Sequence, residues 1–272
     1  KYDLPIYVVT GWPEIYKFDP NVERVFKFGA TQYFYEDNIK RGNPLILAQE
    51  PYLSTQHIVE RKPLRQSWIE MYGMEYDNEY PELHFNHRHH EVVRQNFQRD
   101  KPTVLIQTNG GAPDPDGKRL YSWARDMPMI TAQGVVERLK SKYHFFQICY
   151  NEQQVLKDAE PIQGLNEMEL FALLKETKGR VLIDSSMQHG AGAMNLPSTV
   201  VWIANEPEVW SYTCHSHILP KVEKKFDTPA KDLYQRYDIG GSTDEYPYET
   251  DDIFDVDEIV SSVEKQINES GS

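Results

Sequence analysis

The sequence predicts an α/β protein with parallel strands, divided into two parts near residue 100. Three observations point there. Short apolar runs recur along the chain, at residues 6–10, 44–48, 103–107, 144–149, 179–183 and 198–203. Such runs read as strands buried on both faces, the signature of a parallel sheet. From residue 103 onward these strands alternate with helical patterns, which places helices on both faces of the sheet. The composition is that of a globular protein, with 39% hydrophobic, 26% charged and 12% aromatic residues in a chain of 272.

Taken in order, residues 6–10 form the opening strand, and Gly11, Trp12 and Pro13 break it. Residues 14–18 allow one helical turn, and the alternation of residues 21–26 reads as a short strand. Residues 44–48 form a further buried strand, and residues 63–74 a helix with Trp68, Ile69, Met71 and Tyr72 close to one face. Residues 80–99 are polar and His-rich, a connector followed by a polar helix, and the domain boundary falls beside Asp100, Lys101 and Pro102.

The second part has the clearer rhythm. A strand at residues 103–107 runs into a Gly-, Asp- and Pro-rich loop that lasts to Met127. Thr131 caps a helix over 132–142, and a strand covers 144–149. Asn166 starts a helix through Leu174, and residues 179–183 form a strand. Residues 188–195 make a short helix of small residues, followed by a strand at 198–203. The segment 226–250 reads as a polar, Tyr-rich surface excursion. Asp255 caps a last amphipathic helix carrying Val256, Ile259, Val260, Val263 and Ile267. The domains expected are 1–99, 100–215, and a C-terminal piece 216–272.

Several function classes are excluded early. A net charge of −13 argues against a general nucleic-acid binder, which needs a basic surface. No apolar run approaches the ~20 residues of a membrane span. The two cysteines, Cys149 and Cys214, lack CxxC spacing, so they read as two buried thiols of a reducing, cytoplasmic compartment rather than as a disulfide or zinc ligands. His84, His87, His89 and His90 cluster before Glu91; the spacing of His87 and Glu91 suits a metal, but a solvated polar helix explains it more simply. Ser185 and Ser186 beside His189 lack the GxSxG elbow of a hydrolase, and no GxGxxG opens either half as a dinucleotide-dependent oxidoreductase would require. The acidic run 243–257 reads as a solvated face.

The most informative stretch is 181–197, followed by a strand. A buried strand ends at Asp184, Ser185 and Ser186 and passes into a helix built of Gly190, Ala191, Gly192 and Ala193. In a parallel sheet, ligands bind beyond the carboxyl ends of the strands. A helix N-terminus there offers free amides and a favourable dipole to an anion, and His189 lies one turn in. The plainer alternative is that Asp184 or Ser185 merely caps the helix.

The pattern Asp184-Ser-Ser-x-x-His189, followed by Gly and Ala residues, Asn195-Leu-Pro197 and a β-branched strand, resembles glycosyltransferase family nine, the group of the lipopolysaccharide heptosyltransferases. The likeness extends to Gln107 through Ala112 with Lys118 and Trp123 downstream, to the strand ending near Glu152, and to the stretch from Pro5 to Val25. It implies a GT-B fold: two Rossmann-type domains with parallel sheets facing across a cleft, and a C-terminal helix that crosses back to the first domain. It implies an inverting, metal-independent glycosyltransferase without a cofactor, which moves a sugar from a nucleotide-sugar donor to a glycan or lipid-linked acceptor; the alternative is a non-catalytic binding relative. Carried over by position, Asp184, Ser185, Ser186 and His189 line the diphosphate and sugar. Lys118 neutralises phosphate charge, Thr108 and Asn109 donate to phosphate oxygens, and Glu152 bonds the ribose or base. Ser186 replaces the family's Gly, and no Pro follows Trp123. The resemblance places the general base in a Gly-Asp motif of a first strand and helix that this sequence lacks, so no base is assigned.

Overall fold

The computed structural model describes residues 4–48, 50–110, 124–149, 154–225 and 246–269. In chain order the elements are β1 (Ile6–Thr10), β2 (Val22–Lys27), α1 (Thr55–Ile58), α2 (Leu64–Met71), α3 (His87–Phe97), β3 (Thr103–Gln107), α4 (Met129–Leu139), β4 (His144–Ile148), β5 (Ala159–Ile162), α5 (Glu167–Glu176), β6 (Gly179–Ile183), α6 (Ser186–Ala193), β7 (Thr199–Val201), α7 (Pro207–Trp210), β8 (Ser216–Ile218) and α8 (Val256–Glu269). Single turns of 3-10 helix at Pro13–Ile15 and Pro51–Leu53, and a π-helical turn at Tyr35–Lys40, complete them.

Six strands form one wholly parallel sheet in the order β5-β4-β3-β6-β7-β8. The chain builds outward from β3 through β4 to β5, crosses back to β6 beside β3, and then builds the other way. The strand order therefore reverses between β3 and β6, and such a reversal leaves a crevice at the carboxyl ends of the two strands.

Alternation along each strand divides the core. Val104, Ile106, Val181 and Ile183 face one side, with Val135 and Val136 of α4 and Ile259 and Val263 of α8. Leu105 and Leu182 face the other, with Met168, Phe171 and Leu174 of α5. The Asn166 side chain accepts from the Glu169 amide while the Glu169 carboxylate accepts from the Asn166 amide, a reciprocal cap that fixes the start of α5 as expected. Arg180 is buried beside the end of α5 and donates to the carbonyls of Leu174, Thr177 and Pro197; burial lowers its guanidinium to about 10.

Several expectations need correction. α4 starts at Met129, so Thr131 is not its cap; Pro128, held at φ −55, ends the loop and enters the helix directly. Residues 44–48 form no strand: Leu45, Ile46 and Leu47 are all more than half exposed, because no strand edge is there to pair them. α8 does not cross back to the first part. It lies on the large sheet over β6 and β7, where the Gln266 side chain accepts from the Arg180 amide at 3.0 Å and donates to Thr199 Oγ1 at 2.7 Å. The acidic run is no uniform solvated face, since Tyr248, Ile253 and Phe254 within it are buried. Residues 226–245 lie outside the described residues. Both thiols are free. Among the described residues no helix is long and apolar enough to cross a membrane.

The first hundred residues contribute a two-stranded parallel sheet, β1 with β2, whose Ile6 and Val9 remain 50% and 41% exposed. The rest of this part docks on the large sheet's α5 side. Leu64 of α2 and Val93 of α3 join the cluster around Leu105 and Leu182. Tyr52 stacks on Trp210 with ring centroids 5.7 Å apart, Arg61 pairs with Glu206, and Glu176 accepts from Arg94 at 3.0 Å and meets His90 at 3.2 Å.

Because α8 closes one face through two fully buried aliphatic side chains, Ile259→Ala should cost about 2–5 kcal/mol of stability, the usual range for an aliphatic cavity. Urea unfolding measures it; a loss under about 1 kcal/mol would mean that α8 is not part of the core.

Candidate functional site

β6 is buried throughout, and its chain emerges at the carboxyl edge of the sheet as Asp184 and Ser185. Ser185 is extended (φ −161, ψ 175), and its Oγ accepts from the Met187 amide at 3.1 Å, so Ser185 is the N-cap of α6. The predicted turn from strand into helix is thus present, with the helix beginning at Ser186 rather than at residue 188. The first-turn amides of Ser186 and Gln188 carry no such cap. The Ser185 hydroxyl also donates to Gln107 Oε1 at 2.7 Å, tying the end of β6 to the end of β3.

The loop after β3 is held by its own polar groups. Thr108 is buried; its Oγ1 donates to Asn109 Oδ1 at 2.8 Å and accepts from Gln147 Nε2 at 3.1 Å. Asn109 Nδ2 donates to Asp126 Oδ2 at 3.1 Å, and the Gly110 amide donates to Asp126 Oδ1 at 2.8 Å. The Met127 amide closes the lattice on the Thr108 carbonyl at 2.8 Å. Gly110 lies against the neighbouring strand end: a Cβ added there would meet Ile183 Cδ1 at 3.3 Å and the Asp184 carbonyl at 3.8 Å. Thr108 and Asn109 therefore sit beside the Asp184 turn, with their side chains bonded within the loop.

Asp184 is 6% exposed and accepts from Nδ2 of Asn205, which follows β7. Burial raises the Asp184 carboxyl above its ordinary value, opposed by the Asn205 bond and by the positive charge of Arg125. Arg125 is bracketed from both sides. The Ala204 amide donates to the Ala124 carbonyl at 3.2 Å, and Asp126 holds the β3 loop. Arg125 is half-buried and makes no ion pair among the described residues.

His189 turns to the protein rather than outward. Gln188 Nε2 donates to the Trp210 carbonyl at 3.3 Å and lies 3.1 Å from His189 Nε2, which makes that ring nitrogen the acceptor. Nδ1 therefore carries the hydrogen, facing the Tyr212 hydroxyl at 3.3 Å. Burial, helped by the charge of Arg65, lowers His189 to about 4, so the ring is neutral at pH 7. Arg65 of α2 stands over the Tyr212 and Tyr80 rings, 4.4 and 4.9 Å from their centroids. α6 can pass this close to aromatic rings because Gly190 faces Phe171 and Gly192 faces Tyr212, each at a distance that leaves no room for a Cβ.

The structure thus brings Thr108, Asn109, Asp184, Ser185 and Ser186 to one edge of the sheet, with His189 a turn deeper. Lys118, Trp123 and Glu152 lie outside the described residues. Sequence reasoning missed Gln107, Arg125, Asp126 and Asn205; Pro128, read as a helix start, would have placed Arg125 and Asp126 just ahead of α4 at the sheet edge. The His-rich helix is not simply solvated. His89 packs edge-on to Phe18 at 5.7 Å, and His90 meets Glu176. Among the described residues no group of three His, Cys, Asp or Glu side chains is placed to hold a metal ion.

No family model matches the sequence, and no curated protein matches it. Solved structures do match. A glycosyl transferase family 9 protein from Veillonella parvula DSM 2008 superposes with a TM-score of 0.62 at 12% identity, over 97% of this chain and 88% of that one. The chain has the fold of a GT-B glycosyltransferase. TibC, an iron-containing dodecameric glycosyltransferase from enterotoxigenic E. coli H10407, agrees, with a TM-score of 0.55 at 14% identity over 99% and 77% of the two chains. The complex of the heptosyltransferase TibC with ADP-D-β-D-heptose gives 0.53 at 13% identity over 98% and 76%. Sheets of this topology receive ligands beyond the carboxyl ends of the strands that flank the reversal, and in this GT-B chain the first-turn amides of α6 lie at that edge.

The two histidines of this region set a pH dependence. His189 and His215 are both lowered to about 4 by burial, against about 6.5 when unfolded. Below about pH 6.5 the unfolded chain takes up protons that the folded chain refuses, so stability falls as pH drops toward 4. Going from about pH 7 to about pH 5 should cost on the order of 1–2 kcal/mol per histidine, read by urea unfolding at the two pH values. His189→Asn should flatten the dependence; an unchanged slope would show that the ring is not buried neutral.

Proposed function

We propose that the chain is a glycosyltransferase that moves a sugar from a nucleoside-diphosphate donor to an acceptor hydroxyl, with inversion and without a metal ion. The observation that carries the reading is the join at the sheet's reversal point. There Ser185 bonds Gln107, Gly110 lies on Asp184, α6 starts at Ser186, and the charge of Arg125 acts on Asp184. Cleavage of the sugar–phosphate bond puts negative charge on the leaving nucleoside diphosphate. Donors fixed before the reaction lower the barrier because they need not reorganise. In this reading the Ser186 and Gln188 amides, the Ser186 hydroxyl and the Arg125 guanidinium supply those donors. Lys118 adds a second cation, and Glu152 holds the nucleoside. Direct attack by the acceptor hydroxyl on the face of the sugar opposite the diphosphate gives inversion.

The neighbouring TibC structure holds ADP-D-β-D-heptose, which makes an ADP-sugar the first donor to try. A glycan or lipid-linked hydroxyl is the acceptor class proposed, and two free thiols suit work in the cytoplasm.

Thermal denaturation with ADP-, GDP- and UDP-sugars tests the reading. One nucleotide series should raise the melting temperature. Arg125→Ala and Asp184→Ala should each weaken that binding by about 10- to 100-fold, the range for a lost charged hydrogen bond, while the unliganded proteins stay folded. No shift with any of the sugars, or wild-type affinity in both variants, would remove the site from this edge of the sheet.

A further inference from the structure

Around Asp184 the polar groups divide by sign. The donors are the Arg125 guanidinium, whose charge acts on the Asp184 carboxyl, and the first-turn amides of α6. On the β7 side stand acceptors. Asn205 is 4% exposed, and its Nδ2 donates to the Asp184 carboxylate. In this bond the amide turns its NH2 group toward Asp184 and its oxygen away. That oxygen, Asn205 Oδ1, is buried and has no hydrogen-bond partner among the described residues. Buried amide oxygens are rarely left unpaired, and this one, beside the turn that ends β6, calls for a donor from outside the chain.

The chemistry of that donor is constrained. A carboxylate and an amide oxygen on one stretch of the sheet's carboxyl edge repel phosphate oxygens and can accept only hydrogens. Two such acceptors fit the hydroxyl groups of a polyol. We infer that Asn205 reads a sugar hydroxyl of the donor: Oδ1 accepts that hydroxyl's hydrogen, and the Nδ2 bond to Asp184 keeps the amide from flipping. The inference rests on the nucleotide-sugar reading above and assigns the two sides of the crevice, diphosphate to the Arg125 side and sugar to the Asn205 side. A site built to bond a hydroxyl discriminates strongly against ligands that lack it, because its own buried group is then left unpaired.

Calorimetric titration of the full chain with ADP and with ADP-D-β-D-heptose tests this, using the best-binding series of the thermal screen if it carries another base. In Asn205→Ala the sugar nucleotide should lose about ten-fold in affinity while the free nucleoside diphosphate stays within about two-fold of wild type. Asn205→Ser, which keeps an oxygen at the position, should recover part of the loss and stands in for the alanine variant if that fails to fold. Equal losses for both ligands would make Asn205 a structural brace of Asp184, and no loss for either would mean that another group, such as a trapped water, satisfies Oδ1; both overturn the inference and leave the nucleotide-sugar reading standing. A wild-type chain that binds no nucleotide sugar would end that reading and this inference with it.

Discussion

One hydroxyl group ties the start of α6 to the end of β3, at the point where the strand order of the sheet reverses. Ser185 Oγ accepts from the helix it starts and donates to Gln107 on the adjacent strand. That bond fixes the start of α6 to the end of β3 as well as to β6, and it adds to the packing of Gly110 on Asp184 that holds the β3 loop there. With it, the Asp184 turn, the helix N-terminus and the loop through Gly110 form one rigid rim. The Thr108, Asn109 and Asp126 lattice extends the rim across to the segment before α4, and Gln147 ties it to β4. A site that must stabilise developing charge needs such a supporting shell, because donors that relax during the reaction contribute little.

Besides the packing of α3 on α5, the first hundred residues attach to the larger part through aromatic and charged contacts on residues 206–212. Trp210 receives Tyr52, Glu206 receives Arg61, and Tyr212 lies under Arg65. Tyr212 in turn meets His189. The motif helix and the N-terminal part therefore share a set of side chains, and movement of one is felt by the other.

The parts legible in the sequence are those whose burial leaves a simple pattern. β3 and β6 run from Thr103 to Gln107 and from Gly179 to Ile183 as read, since both strands are central and covered on both faces. α5 announced itself through Asn166 and the apolar residues that follow it. β5 was missed because its four residues include Glu160 and Pro161. It is an edge strand, where proline is tolerated and one side is wet. Residues 44–48 misled for the opposite reason, since β-branched and aliphatic content marks a strand only when an edge is available to pair with it. At the site, Asp184 and Ser185 were visible from the turn chemistry. Asn205 and Asp126 were not, because neither lies in a motif and each acts through a partner far off in sequence.

The two glycines of α6 lie 200° apart on the helix at ~100° per residue, so they face opposite ways. Phe171 fills the space of one missing Cβ and Tyr212 that of the other. The helix is gripped between two rings like a rod in a clamp. Its freedom to vary over evolutionary time is limited there by the room the aromatics leave, not by any backbone torsion that only glycine can adopt. Drift elsewhere along this helix would change its surface; drift at these two points would change where the helix lies.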